Sequence, residues 1–171
     1  MKNNNSIKPV VAVGIGAALF FVLGRFVAIP SPVPNTNISL QYAVLALLAA
    51  MYGPVAGGLI GFIGHTLIDL SWGGSPWWSW VIASAFVGVV VGLFAKKLDL
   101  QEGEFGKKKM AAFTAANVVA HLLAWIVVAP VLDILIYAEP AKKVFAQGAF
   151  AAVSNIITAV VVGGLLVLAY T

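Results

Sequence analysis

Cysteine is absent from this 171-residue chain and charge is scarce: Asp, Glu, Lys and Arg together make up 9% of residues, against 61% hydrophobic. Without cysteine there is no disulfide, no thiol nucleophile and no Cys-ligated zinc or iron–sulfur site. A soluble domain of this size needs roughly 25% charged residues to cover its surface, so the shortage excludes one and points to lipid as the solvent. At roughly 20 apolar residues per crossing the chain has room for six or seven spans and for no soluble domain beside them. It also lacks a Gly-x-x-x-x-Gly-Lys-Ser/Thr phosphate loop, so any ATP-driven step must draw on another polypeptide. Gly-x-Ser-x-Gly, His-Glu-x-x-His and any specific Ser/His/Asp spacing are missing too, and an enzyme is not expected.

What is present is a succession of apolar runs. They predict an all-α integral membrane six-helix bundle forming one domain, with helices at about 9–29, 38–51, 55–70, 77–95, 110–131 and 144–170. The first run exceeds a signal-peptide core and no Ala-x-Ala-like cleavage site follows, so it reads as a retained helix. Pro30, Pro32 and Pro34 forbid a helix after it and predict a stiff, extended connector. The net charge of +4 is to be read by position. Six crossings put Lys2, Lys8, Lys96, Lys97, Lys107, Lys108 and Lys109 on one side, and Lys142 and Lys143 on the other. Positive charge accumulates on the cytoplasmic side, so both termini are expected there, and the basic residues mark orientation rather than nucleic acid. The proline connector, the turn around Trp72 and the segment from Leu132 to Lys143, which holds Asp133, then share the outer face.

Small residues four apart let helices approach closely in lipid, and Gly53, Gly57 and Gly61 on the third helix predict a neighbour against that stripe. The fourth helix has Gly88 and Gly92, and the first has the pairs Ala12/Gly16 and Gly14/Ala18. Polar groups at membrane depth cost free energy, about 2.5–3.5 kcal/mol for a central charge, so each demands a reason. Arg25 either snorkels to the interface or enters an ion pair or ligand contact, with Asp69 and Asp133 as candidate acids. His65 and Asp69 stand four apart on one helix face. Asn117, His121 and Trp125 form a similar stripe that reads first as interhelical glue. With two histidines and no cysteine, no metal site is expected. Trp72, Trp77, Trp78 and Trp80 cluster at the outer end, as an interfacial belt or as walls for a flat or bulky organic ligand.

Val10 to Ala18, Leu23-Gly24-Arg25-Phe26, Pro34 to Ile38, Gly61-Phe62-Ile63-Gly64-His65 with Asp69, Trp77 to Ile82, and Ala129 to Tyr137 with Glu139-Pro140 resemble, in order and spacing, the substrate-binding S components of energy-coupling factor (ECF) vitamin transporters. The likeness is to the branch named for riboflavin, and it covers the whole chain. It implies a subunit that captures a vitamin at its outer end and delivers it inward with a membrane T subunit and two ATPases. Riboflavin comes with the branch name, and similar members are linked to cobalamin. The resemblance makes Ala12/Gly16 or Gly14/Ala18 the T-subunit face. Expected substrate-binding residues are Arg25, Asn35, Asn37, His65, Asp69, Trp72, Trp77, Trp78, His121 and Asp133. No cofactor is implied. The competing classes are an autonomous ion-coupled secondary transporter, against which no inverted repeat is evident, and a ligand-free membrane assembly protein.

Overall fold

Glycine and alanine at helical spacing decide how this chain packs, because they let helix backbones meet without intervening side chains. The computed structural model describes residues 7–101 and 105–171; Lys2 of the charge count lies outside them, as do Glu102 and Glu104 between Lys97 and Lys107. The long elements are α1 (Ile7–Phe26), α2 (Gln41–Tyr52), α3 (Pro54–Leu70) and α4 (Trp78–Leu93). A single turn, α5 (Ala95–Leu98), then leads to α6 (Lys107–Tyr137) and α7 (Ala141–Tyr170). Of these, α1, α6 and α7 are long and apolar enough to cross a membrane, and α2, α3 and α4 are shorter apolar helices.

The glycine stripe of α3 packs against α4. A Cβ at Gly57 would lie 2.4 Å from the carbonyl oxygen of Gly88, and one at Gly61 2.4 Å from that of Ser84. Tyr52-Gly53-Pro54 reverses the chain between α2 and α3, with Gly53 at φ 88°, a conformation that glycine adopts without strain. Helix α2 is central: Ala43, Leu45, Ala46, Ala49 and Ala50 are all buried. Phe20, Phe113 and Trp125 fill the largest interior positions around it.

On α1 the two small-residue pairs part company. Ala12, Gly16, Phe20 and Gly24 face inward, and a Cβ on Gly16 would meet Leu48 Cδ1 at 2.7 Å and Ile60 Cδ1 at 2.8 Å. Gly16 is therefore packed on α2 and α3, and Ala12 is buried on the same side of α1. Gly14 and Ala18 are exposed among Val11, Ile15 and Val22.

Helix boundaries differ from expectation where the connectors fold back. The proline connector is a short hairpin rather than a simple extended link: Ile29 pairs with Ile38 and Pro30 with Asn37, which delays α2 to Gln41. Ser31 Oγ and Thr36 Oγ1 lie 2.5 Å apart across its tip. Helix α6 continues past Val131 to Tyr137, so Asp133 sits on a helix and not in a loop. A π segment at Leu123–Val128 precedes Pro130, and its widened turn relieves the clash of the proline ring with the preceding turn. The helix stops where Ala138 turns left-handed (φ 52°), with Ala138 N–H bonded to Ile134 O and Glu139 N–H to Asp133 O. That paired closure satisfies the last carbonyls before Pro140 opens α7.

Candidate functional site

The connectors α1–α2, α3–α4 and α6–α7 meet at one end of the molecule, around a cavity of about 570 Å³. Asn35, Thr36, Asn37 and Ser39 of the hairpin supply one rim, and Trp72, Glu139 and Lys143 supply others. The hairpin is tied down by Gln147 of α7, whose Nε2 donates to Pro34 O at 2.8 Å. Deeper, Gln41, Tyr42, His65, Asp69, Trp77, Trp80, Asp133 and Asn155 line the walls and floor.

Asp133 organises the aromatic wall. It is 2% exposed and accepts hydrogen bonds from Trp77 Nε1 at 2.6 Å, from Trp80 Nε1 at 2.9 Å and from Ser79 Oγ. Two indoles and a hydroxyl from the N-cap and first turn of α4 are thus gathered on one carboxylate of α6. Tyr137, one turn further along α6, stacks on Trp77 with centroids 4.1 Å apart. Trp80 in turn packs on Trp125 at 5.1 Å. Such rings supply broad apolar contact while their N–H groups remain satisfied.

A second polar chain crosses from α3 to α2 through α4. Asp69 Oδ2 accepts from the backbone N–H of Trp77 at 2.8 Å, fixing the α3–α4 turn. Its Oδ1 lies 3.7 Å from His65 Nε2, and His65 Nδ1 is 2.6 Å from Ser84 Oγ, which in turn is 2.8 Å from the Tyr42 hydroxyl. His65, Ser84 and Tyr42 are hydrogen-bonded in turn, the condition for keeping a polar network in an apolar interior, whereas Asp69 Oδ1 and His65 only approach one another. Among the described residues no three His, Asp or Glu side chains are placed to hold a metal ion.

Of the residues singled out from the sequence, Asn35, Asn37, His65, Asp69, Trp72, Trp77 and Asp133 line this cavity. Three do not. Arg25 reaches neither Asp69 nor Asp133: its guanidinium lies 3.6 Å over the Trp72 ring and its Nε donates to Ser71 Oγ at 2.9 Å, so it braces the rim from outside. Trp78 turns away from the cavity and stacks on Phe62 at 6.0 Å, because successive residues at a helix start point in different directions. His121 is fully buried in the core, where its Nδ1 accepts from Trp125 Nε1 at 2.9 Å and its ring meets Tyr42 edge-on. Trp78→Ala is therefore expected to change ligand affinity by less than about twofold, a shift of only a few tenths of a kcal/mol, in tryptophan-fluorescence or dialysis titration.

Sequence reasoning missed Thr36, Ser39, Gln41, Tyr42, Glu139, Lys143, Gln147 and Asn155, and it placed Trp80 among the outer aromatics without naming it a binding residue. Gln147 and Asn155 carried a usable signal, since both are strongly polar groups inside the last apolar run, the criterion that singled out His65.

Comparison with known proteins bears on this site. The family model described as ECF-type riboflavin transporter, S component, matches residues 4–171. The chain belongs to that family. As an S component it is a membrane transport subunit, and its family is not one of enzymes. Relatives include a UPF0397 protein of Exiguobacterium sp., 56% identical over 98% of this chain and 92% of its own length. Another, from Enterococcus faecalis, is 52% identical over 99% of this chain and 93% of its own. Among solved structures, the S component for biotin from an ECF-type ABC transporter superposes with a TM-score of 0.64 over 96% of this chain and 94% of that one, at 19% identity. At that identity the likeness concerns the fold of this S component alone.

Proposed function

We propose that this chain is the substrate-capturing subunit of an ECF-type importer, a single membrane domain of six crossings. Both termini face the cytoplasm, the cavity opens outward, and inward delivery depends on a membrane T subunit and two ATPases. The observation that carries the reading is the cavity itself, a space with aromatic walls and convergent polar groups such as small-molecule sites use. Orientation follows from charge: Lys142 and Lys143 stand at the cavity end, whereas Lys96, Lys97, Lys107, Lys108 and Lys109 fall in the segments at the other. The ligand we assign is a B vitamin of riboflavin's class. A volume of about 570 Å³ lies within the range of pockets for drug-sized ligands, which favours it over the much larger cobalamin. Extraction of the purified protein followed by mass spectrometry is expected to release a stoichiometric vitamin. Protein that folds, comes away empty and is not thermally stabilised by any vitamin would leave the assembly-protein reading in its place.

The exposed Gly14/Ala18 face of α1 is the proposed T-subunit contact. Nothing lies within 4 Å of a Cβ built on Gly14. Gly14→Leu is expected to leave melting temperature and vitamin binding unchanged while abolishing co-purification with a T subunit and two ATPases. A variant that assembles normally would move the contact to another face.

A further inference from the structure

Resting on the capture reading above, we propose that the cavity selects its ligand by charge. It accepts a molecule without net negative charge that donates a hydrogen bond to Asp69 Oδ1, and it rejects ligands carrying a free carboxylate or phosphate monoester. The charged groups lining the cavity are Asp69 of α3, Asp133 of α6, Glu139 of the α6–α7 connector and Lys143 of α7. Lys143 is the one cation among them in the described residues, and Glu139 Oε2 already accepts from its Nζ at 2.7 Å. Arg25 is outside the lining and spends its guanidinium on Trp72 and Ser71. Among the described residues Asp69 and Asp133 are thus left without a Lys or Arg partner in the cavity, and an anion entering it would face two carboxylates.

The two carboxylates have different tasks. Every contact to Asp133 comes from a donor, and with two indoles and a hydroxyl on its oxygens it is committed to the protein. Asp69 commits Oδ2 to the Trp77 N–H, while Oδ1 has only His65 Nε2 at 3.7 Å, beyond hydrogen-bond length. A ligand N–H or O–H would complete it. Asn155 is a second open group: 5% exposed, it lines the cavity, and its side chain makes no hydrogen bond among the described residues. A ligand with both hydrogen-bond donors and acceptors has partners in these two groups.

The test is equilibrium dialysis of the full chain in detergent against matched probes: riboflavin, cyanocobalamin and thiamine in one set, flavin mononucleotide, biotin and pantothenate in the other. Riboflavin against flavin mononucleotide is the decisive pair, because only the phosphate differs. The expected result is binding within the first set and a preference of about a hundredfold or more for riboflavin over its phosphate, given the cost of opposing like charges in a buried site. Glu139→Gln, which frees Lys143, is expected to narrow that preference by about tenfold. Binding of any anionic probe as tightly as the best of the first set would overturn the charge filter and leave the capture reading standing. Silence from all six with folded protein would sink the capture reading, and the filter with it.

Discussion

Asp133→Asn is expected to reduce vitamin affinity beyond detection and to lower the melting temperature by about 5 °C, the scale of one unsatisfied buried donor in a chain of this size. The carboxylate offers two oxygens to three donors, and both are used: Trp77 Nε1 and Ser79 Oγ meet one, Trp80 Nε1 the other. An asparagine has one oxygen and one amide nitrogen. Whichever way it is flipped, the nitrogen confronts a donor, and at least one indole N–H is left facing it without an acceptor. The indole responds by rotating, and the wall it formed against the cavity goes with it. Asp133→Ala removes the acceptor altogether and is expected to cost more. Ser79→Ala removes a single donor and is expected to leave binding within about threefold, a loss comparable to one modest hydrogen bond. Thermal unfolding in detergent with and without vitamin separates these effects. An Asp133→Asn protein that binds normally would show that packing alone, through Tyr137 and Trp125, holds the two rings.

The residues on which the fold depends were legible because they obey short-range rules. Gly53, Gly57 and Gly61 announced a close helix contact, and Gly92, Gly88 and Ser84 on α4 are what meets them in turn. The four-residue spacing of His65 and Asp69 placed both on one face of α3, and both line the cavity. The same rule could not decide between Ala12/Gly16 and Gly14/Ala18, since both pairs have the spacing and only tertiary contacts tell which side of α1 is inside. Asp133 was legible as a polar group at the right end but not as the organiser of α4, because its partners are more than fifty residues away in sequence. The end of α6 was placed too early, near Val131, because Leu132 to Lys143 reads as a polar connector by its Asp133, Glu139 and Pro140, whereas the helix runs on to Tyr137. Trp78 was grouped with Trp77 by adjacency, although on a helix adjacency means divergence.

Gly88→Ala is expected to cost at least about 3 kcal/mol, the upper part of the range for overpacked interiors, and to lower the melting temperature by about 10 °C. The added methyl would stand 2.1 Å from the carbonyl oxygen of Gly57 and 2.3 Å from its carbonyl carbon. These are backbone atoms of a regular helix, so no rotamer change can make room and α3 must move away from α4. That movement has consequences at the cavity, where the same two helices hold His65 Nδ1 2.6 Å from Ser84 Oγ and the Trp77 N–H 2.8 Å from Asp69. Loss of vitamin binding should therefore accompany loss of stability, although Gly88 lies outside the cavity lining. Gly14→Leu is the control: a larger side chain on another helix, entering open space, expected to leave both quantities unchanged. Size-exclusion profiles and thermal unfolding of the two purified variants decide the matter. Equal stability of Gly88→Ala and the parent would mean that α3 and α4 tolerate wider separation than their glycine contact implies.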